Sequence, residues 1–222
     1  MKTLGALTIS LLSMATLAGA PQQTGGWKPL FDGKTLNGWR GYKQQQVPDG
    51  WKVQDGAIVR LTGGGDIVTA DEFGDFELAL EWKISEGGNS GVFYRALETT
   101  EAIWHNAPEY QILDNTKHPD GKDPKTSAGS CYALYAPVRD VTKPVGQWNE
   151  TRIIAKGRHV EHWMNGTKLL EYETGSPDWK TRVAASKFKV YPGFAEQSRG
   201  RIGLQDHGNV VWYRNIRIRE LK

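Results

Sequence analysis

Between Phe76 and Ile84 the chain reads FELALEWKI, with Phe76, Leu78, Leu80, Trp82 and Ile84 at every second position and Glu77, Ala79, Glu81 and Lys83 between them. A period of two marks a half-buried strand, because successive side chains leave a strand on opposite faces. The same parity in Glu109–Leu113 puts Glu109 and Gln111 on one face, with Tyr110 and Ile112 on the other. A second run, from Asn89 to Arg95, follows the glycines Gly87-Gly88. Residues 73–114 therefore predict three strands, the first two joined by a glycine-rich turn. Their polar positions, Glu77, Glu81, Asn89, Arg95, Glu109 and Gln111, predict one polar face that builds a binding cleft.

Similar patterns run along the rest of the chain. Asp55-Gly56 within WKVQDGAIV and Asn165-Gly166 after His159–Met164 are hairpin signals. Strands are expected at Ile67–Thr69, Trp148–Ala155, His159–Met164, Lys168–Tyr172, Arg201–Leu204 and Val210–Leu221, with a short helix around Trp179–Phe188. The stretch AGSCYALY around Cys131 reads as the start of a buried strand. Residues 115–130 are rich in Asp, Lys, Pro and Gly without apolar period and read as a long loop, a candidate lid. Roughly a dozen strands with almost no helical period predict an all-β fold, a two-sheet antiparallel β-sandwich.

Composition narrows the classes. The chain has 222 residues, and nine tryptophans, eight tyrosines and six phenylalanines can fill a wide sandwich core. The net charge of +3 comes from scattered Lys and Arg, so no nucleic-acid footprint is present. Lys2, the apolar run Leu4–Leu17 and Ala18-Gly19-Ala20 read as a secretory leader over residues 1–20, followed by a polar linker over 21–26 and one domain over 27–222. Pro21 would hinder cutting after Ala20, which leaves a cut after Ala18 as the alternative. The apolar run is too short to span a membrane. The expectation is an exported protein, periplasmic or extracellular, without a membrane span. Cys131 is the single cysteine, so no internal disulfide can form; its flanks favour a buried structural thiol over a nucleophile. No metal finger, phosphate loop, nucleophile elbow or dinucleotide motif is found.

The order of LFDGKTLNGW (30–39), W-x-V-x-DGAI (51–58), FGDFELALEWKISEGGNSGVFYR (73–95), EYQILDN (109–115), GQWNETRIIAKG (146–157), W-x-NG (163–166) and GRIGLQDHGNVVWYRNIRIREL (200–221) resembles the 3-keto-disaccharide hydrolase domain family, once catalogued as a domain of unknown function. The resemblance covers essentially the whole chain after the leader. It implies a concanavalin A-like jelly roll that binds carbohydrate on the concave face of a sheet, in exported bacterial proteins. It also implies cleavage of glycosides whose sugar carries a ketone at carbon 3.

Such a ketone acidifies the proton on carbon 2, so a base could start an elimination that water then completes to a net hydrolysis. A displacement would instead need two carboxyl groups flanking the bond, about 5 to 10 Å apart. Both routes stay open on residue counts. Glu109 is the first candidate, as base or metal ligand. His207 could be a titrating group oriented by its neighbour Asp206. Arg95 could polarise a keto oxygen, and Gln111, Asn89, Glu81 and the ring of Tyr135 are candidate sugar contacts. Glu109, His105, Asp114 and His118 form a candidate O/N ligand set for a divalent cation, the one cofactor considered. His159 and His162 fall on opposite faces of one strand and read as structural. The alternative function is a non-catalytic carbohydrate-binding module of the cell envelope; the oligomeric state is not readable.

Overall fold

Two-residue turns fix where strands reverse. Asp55 and Gly56 take φ of 49° and 73°, and Asn165 and Gly166 take 48° and 78°, the left-handed pair that a tight hairpin requires. The computed structural model describes Met1 and residues 26–222; apart from Met1 and Gly26, the expected leader and linker lie outside the described residues.

The larger sheet contains β1 (Lys28–Pro29), β3 (Trp51–Gln54), β4 (Ala57–Arg60), β6 (Phe76–Ile84), β9 (Asn149–Lys156), β10 (His159–Met164), β11 (Thr167–Glu173) and β13 (Val211–Glu220). Their order is β11-β10-β9-β6-β13-β4-β3, with β1 against β13. The smaller sheet contains β2 (Trp39–Gly41), β5 (Ile67–Thr69), β7 (Asn89–Ala96), β8 (Glu109–Leu113) and β12 (Arg201–Leu204), ordered β2-β5-β12-β7-β8. Every pairing is antiparallel. The fold is the expected all-β sandwich of two antiparallel sheets.

The core lies between the sheets. Leu78, Leu80 and Ile153 of the larger sheet pack in one cluster with Val92, Tyr94, Tyr110 and Ile112 of the smaller. Buried tryptophans keep their N–H groups bonded, as burial demands: Trp51 donates to the Gly65 carbonyl and Trp82 to Thr151 Oγ1. One polar chain crosses this interior. His162 Nδ1 donates to the Gly129 carbonyl (3.0 Å), so its Nε2 accepts from the Tyr94 hydroxyl (2.8 Å), which in turn bonds Tyr172. This ties β10 to β7 with each polar group partnered.

Three expectations change. β6 and β7 do not pair: residues 85–88 carry the chain from one sheet to the other, so Glu77 and Glu81 face outward from the opposite side of the sandwich to Glu109. The polar face expected over residues 73–114 is thus two faces. Residues around Cys131 form only isolated bridges (Tyr110–Cys131 and Cys131–Tyr135), not a strand, although the thiol is buried as expected and burial pushes it up to about 12. The loop at 115–130 is a braced wall. Asp114 accepts from the backbone of Gly87, Thr116 and Lys117, the Gln111 amide donates to the Thr126 carbonyl, and Asn115 accepts from Ala128. The expected helix is α1 (Pro177–Ala184), capped by Ser176, followed by a 3-10 turn at Lys187–Val190.

Burial holds His162 down to about 4, against the ordinary histidine value of 6.5. Its folded pKa lies below the unfolded one, so the unfolded chain binds the extra proton between those values. Its contribution is complete above pH 6.5 and is lost as pH falls toward 4, on the order of 3 kcal/mol. Urea unfolding across that range should show the stability gap between wild type and His162→Gln narrowing as pH falls; a constant gap would contradict the buried neutral ring.

Candidate active site

The face of the smaller sheet turned away from the core carries the site. Parity along β8 sends Glu109 and Gln111 outward, opposite Phe93 and Gly91 of β7. Gly91 makes Glu109's position possible: a Cβ built there would fall 2.2 Å from Glu109 Oε1 and 2.8 Å from its Cγ. The carboxyl therefore lies flat on bare backbone. From the next strand, Gln205 donates its N–H to the Gly91 carbonyl, and the chain continues to His207.

Glu109, Gln205 and His207 line a cleft of about 260 Å³ with Asn89, Trp104, Tyr132 and Lys187. His118, on the braced wall, stands with its ring 6.1 Å from that of His207, nearly perpendicular. Its Nδ1 accepts from the Asp120 N–H, and its Nε2 is 3.5 Å from the Asn89 amide nitrogen. At the rim His105 stacks on Tyr191 and meets the edge of Trp104. The buried acceptors Asn89 Oδ1 and Gln205 Oε1 have no hydrogen-bond partner among the described residues. Buried acceptors are normally satisfied, so these two suit donors brought by a ligand, such as sugar hydroxyls.

Exclusion of water governs Glu109, which is buried, while His207 and Lys187 on the cleft wall are exposed as residues. Burial pushes the Glu109 carboxyl up to about 8; the Lys187 charge opposes that rise, and the nearby carboxylates Asp66 and Asp120 add to it. Burial, then the neighbouring His118, lowers His207 from its usual value. Near neutral pH the cleft therefore presents a protonated carboxyl beside a neutral imidazole. Asp66, behind the floor, is also raised by burial, to about 6, and its carboxylate accepts from the Asp206 N–H.

Of the sequence-expected residues, Glu109, His207 and Asn89 meet in this cleft. The others do not reach it as ligands. Asp206 pairs with the buried Arg60 guanidinium at 2.6 Å and accepts from Gly65 and Gly208, so it pins the loop that carries His207 without orienting the ring. Arg95 is spent inside the protein on the Gly74 and Gly157 carbonyls and on Asp75. Gln111 holds the 115–130 wall. Glu81 lies on the larger sheet's outer face, bound by Arg214 and Asn215. Tyr135 donates to Asp178 and stacks on Tyr172 in the aromatic packing beside α1. The ligand set Glu109, His105, Asp114 and His118 does not converge: Asp114 serves its own loop and His105 its stack. Among the described residues the one group of three ligand atoms within 4.8 Å is His159, Glu161 and Glu171, on the larger sheet, where Lys168 already pairs with both glutamates.

Sequence reasoning missed Lys187 and Asp66. Lys187 sits in a stretch without period, and its aromatic neighbours Trp104 and Tyr132 come from distant segments. Asp66 follows three glycines and reads locally as a turn former.

A family model described as a 3-keto-alpha-glucoside-1,2-lyase-like domain matches residues 26–219. A curated protein of Bacteroides thetaiotaomicron named 3-keto-disaccharide hydrolase is 41% identical, over 90% of this chain and 80% of its own length. A crystal structure from Parabacteroides distasonis, provisionally classed as a glycosyl hydrolase, is 35% identical with a TM-score of 0.83, covering 89% of this chain and 94% of that one. A carbohydrate-binding module of Bacillus subtilis shares the fold alone, at 12% identity and a TM-score of 0.53 over 82% of this chain and 96% of its own.

Gly91→Ala should drive the Glu109 carboxyl off the strand and toward water while leaving the core untouched. NMR titration of that carboxyl should then show its midpoint dropping from about 8 toward the ordinary glutamate value near ~4.3. An unmoved midpoint would mean that Gly91 does not set the carboxyl's environment.

Proposed function

Because the chain belongs to the 3-keto-alpha-glucoside-1,2-lyase-like family, a family of carbohydrate-active enzymes, we propose that it cleaves 3-keto-glycosides in the Glu109–His207 cleft by elimination followed by hydration. The observation that carries this reading is the pair of groups pushed in opposite directions by burial. A carboxyl that stays protonated and an imidazole that stays neutral are an acid and a base at the same pH.

On this reading neutral His207 takes the proton from carbon 2, which the adjacent ketone has acidified. The electron pair left on carbon 2 forms an enolate with the ketone. Its collapse makes the carbon 1–carbon 2 double bond and breaks the bond from carbon 1 to the glycosidic oxygen, which receives the Glu109 proton. Water then adds across that double bond, oxygen to carbon 1 and proton to carbon 2, giving the free 3-keto sugar. Asn89 and Gln205 accept from sugar hydroxyls, and Trp104 and Tyr132 wall the ring. Glu109 is the one carboxyl among the cleft-lining residues, which supports elimination over a displacement that needs two flanking carboxyls. Export by the N-terminal leader, to the periplasm or beyond the cell, belongs to the same proposal.

Incubation with matched 3-keto and unmodified glucosides tests it. Aglycone should be released from the keto sugar alone, with solvent deuterium entering carbon 2. Equal cleavage of the unmodified glucoside without exchange would overturn elimination, and turnover of neither would overturn the enzyme.

The pH profile of kcat/KM should be a bell. It rises as His207 loses its proton below the ordinary histidine value, and falls as Glu109 ionises near 8. Glu109→Gln should lower the rate on the order of 100-fold and flatten the alkaline limb. A limb that persists in this variant would assign it to another group.

A further inference from the structure

The mechanism above leaves the negative charge on the keto oxygen unanswered. Removing the carbon 2 proton puts that charge on the oxygen of carbon 3, and an enolate in a dry cleft needs a cation or strong donors there. Glu109 is neutral at working pH, and the positive charge that His207 gains with the carbon 2 proton is held at that proton rather than at the keto oxygen. Arg95, the cation the sequence offered for this task, is consumed by the core.

Lys187 is the one cationic side chain lining the cleft. It stands on the 3-10 turn and is exposed as a residue, with its ammonium laid against the aromatic wall of the cleft. Nζ lies 4.4 Å from the centre of the Tyr132 ring, 4.7 Å from Trp104 and 5.3 Å from Phe188. Three ring faces attract a cation without neutralising it. No carboxylate comes within ion-pair distance of this nitrogen among the described residues, in contrast to Lys28, Lys117 and Lys168, each of which has one. An ammonium placed this way keeps its charge and its three N–H donors available. Burial lowers its proton affinity from that of a free lysine, with Glu109 and Asp120 pulling against it, so it is also a more willing proton donor than a solvated ammonium.

We propose that Lys187 is a further catalytic residue, whose caged ammonium binds the carbon 3 oxygen of the sugar and stabilises the enolate formed when the carbon 2 proton leaves. The inference rests on the 3-keto-glycoside reading and adds the group that makes its first step possible. No bond forms to the lysine. The electron pair from the carbon 2–hydrogen bond moves into the carbon 2–carbon 3 bond, the carbonyl pair moves onto oxygen, and Lys187 donates a hydrogen bond to that oxygen until the pair returns. The aromatic wall predicts a division of labour: Tyr132, whose hydroxyl is anchored on Asp120, and Trp104 position the cation, and of these three only Lys187 touches the reacting atoms.

Enolisation can be isolated with a keto sugar that has no leaving group. In 3-keto-1,5-anhydroglucitol carbon 1 carries no glycosidic oxygen, its one oxygen being that of the ring, so exchange of the carbon 2 proton with heavy water reports the first step without aglycone loss. Wild type should exchange it. Lys187→Met, which keeps the length and the apolar stem, should slow exchange and lower kcat on 3-keto-glucosides by about 100-fold or more with little change in KM, as expected for a contact made in the transition state. Lys187→Arg should recover part of the rate by restoring charge. Circular dichroism of both variants should match wild type, the side chain being on an exposed turn.

An unimpaired Lys187→Met in an enzyme that cleaves keto sugars would overturn this role and leave the reading beneath it standing. Wild type that neither exchanges nor cleaves would instead overturn that reading. Reaction with cyanoborohydride in the presence of the keto sugar supplies the last arm. A reduced sugar fixed to Lys187 would replace the ionic role with a covalent imine, whereas an unmodified lysine agrees with the ammonium.

Discussion

Glu109 rests directly on the backbone of β7 because residue 91 has no side chain, and that close approach removes its carboxyl from water. Desolvation of a carboxylate is costly enough that the group takes up a proton instead of paying it. No carboxylate of the described residues lies within ion-pair distance of Lys187, whose ammonium stands over the Tyr132 and Trp104 rings. Burial and the neighbouring His118 lower His207 against the pull of the Asp120 carboxylate.

The two faces of the sandwich are chemically separate. On the larger sheet the outward polar residues are matched with one another. Glu77 is bound by Arg152 and Arg219, Glu81 by Arg214 and Asn215, and Lys83 lies over Trp148 and Trp212. Such a lattice is what a solvated sheet face makes when its charges satisfy each other. On the smaller sheet the acceptors are left unmatched, and unmatched buried acceptors mark where something else is meant to bind. Behind that face the His162–Tyr94–Tyr172 chain fixes β7 against β10. The floor under Glu109 is therefore rigid across the thickness of the domain.

Strand positions were legible because they depend on local signals. Parity along β8 placed Glu109 and Gln111 on one face, and Asp55-Gly56 and Asn165-Gly166 marked their hairpins to the residue. What could not be read was which sheet a strand joins. The glycines at 87–88 look like a hairpin turn, and only the assembled sandwich shows that they bridge the sheets. The same limit applies to the site. Asp206 and Arg95 have the residue types of active-site groups, but their partners, Arg60 and Asp75, come from elsewhere in the chain and absorb them. Lys187 had no local signal at all, since its significance comes from rings contributed by residues 104 and 132. Glu109 was found by parity, but parity could not show the burial that raises its carboxyl.

Cys131, the single cysteine of the chain, is sealed in the interior with its thiol held far from ionisation. The native protein is thus almost silent toward thiol reagents. A cysteine introduced anywhere on the larger sheet's outer face would be the one reactive thiol in the molecule, attached to the face opposite the candidate cleft. A fluorophore, spin label or solid support could be fixed there and would report on, or hold, the protein with the cleft turned toward solution.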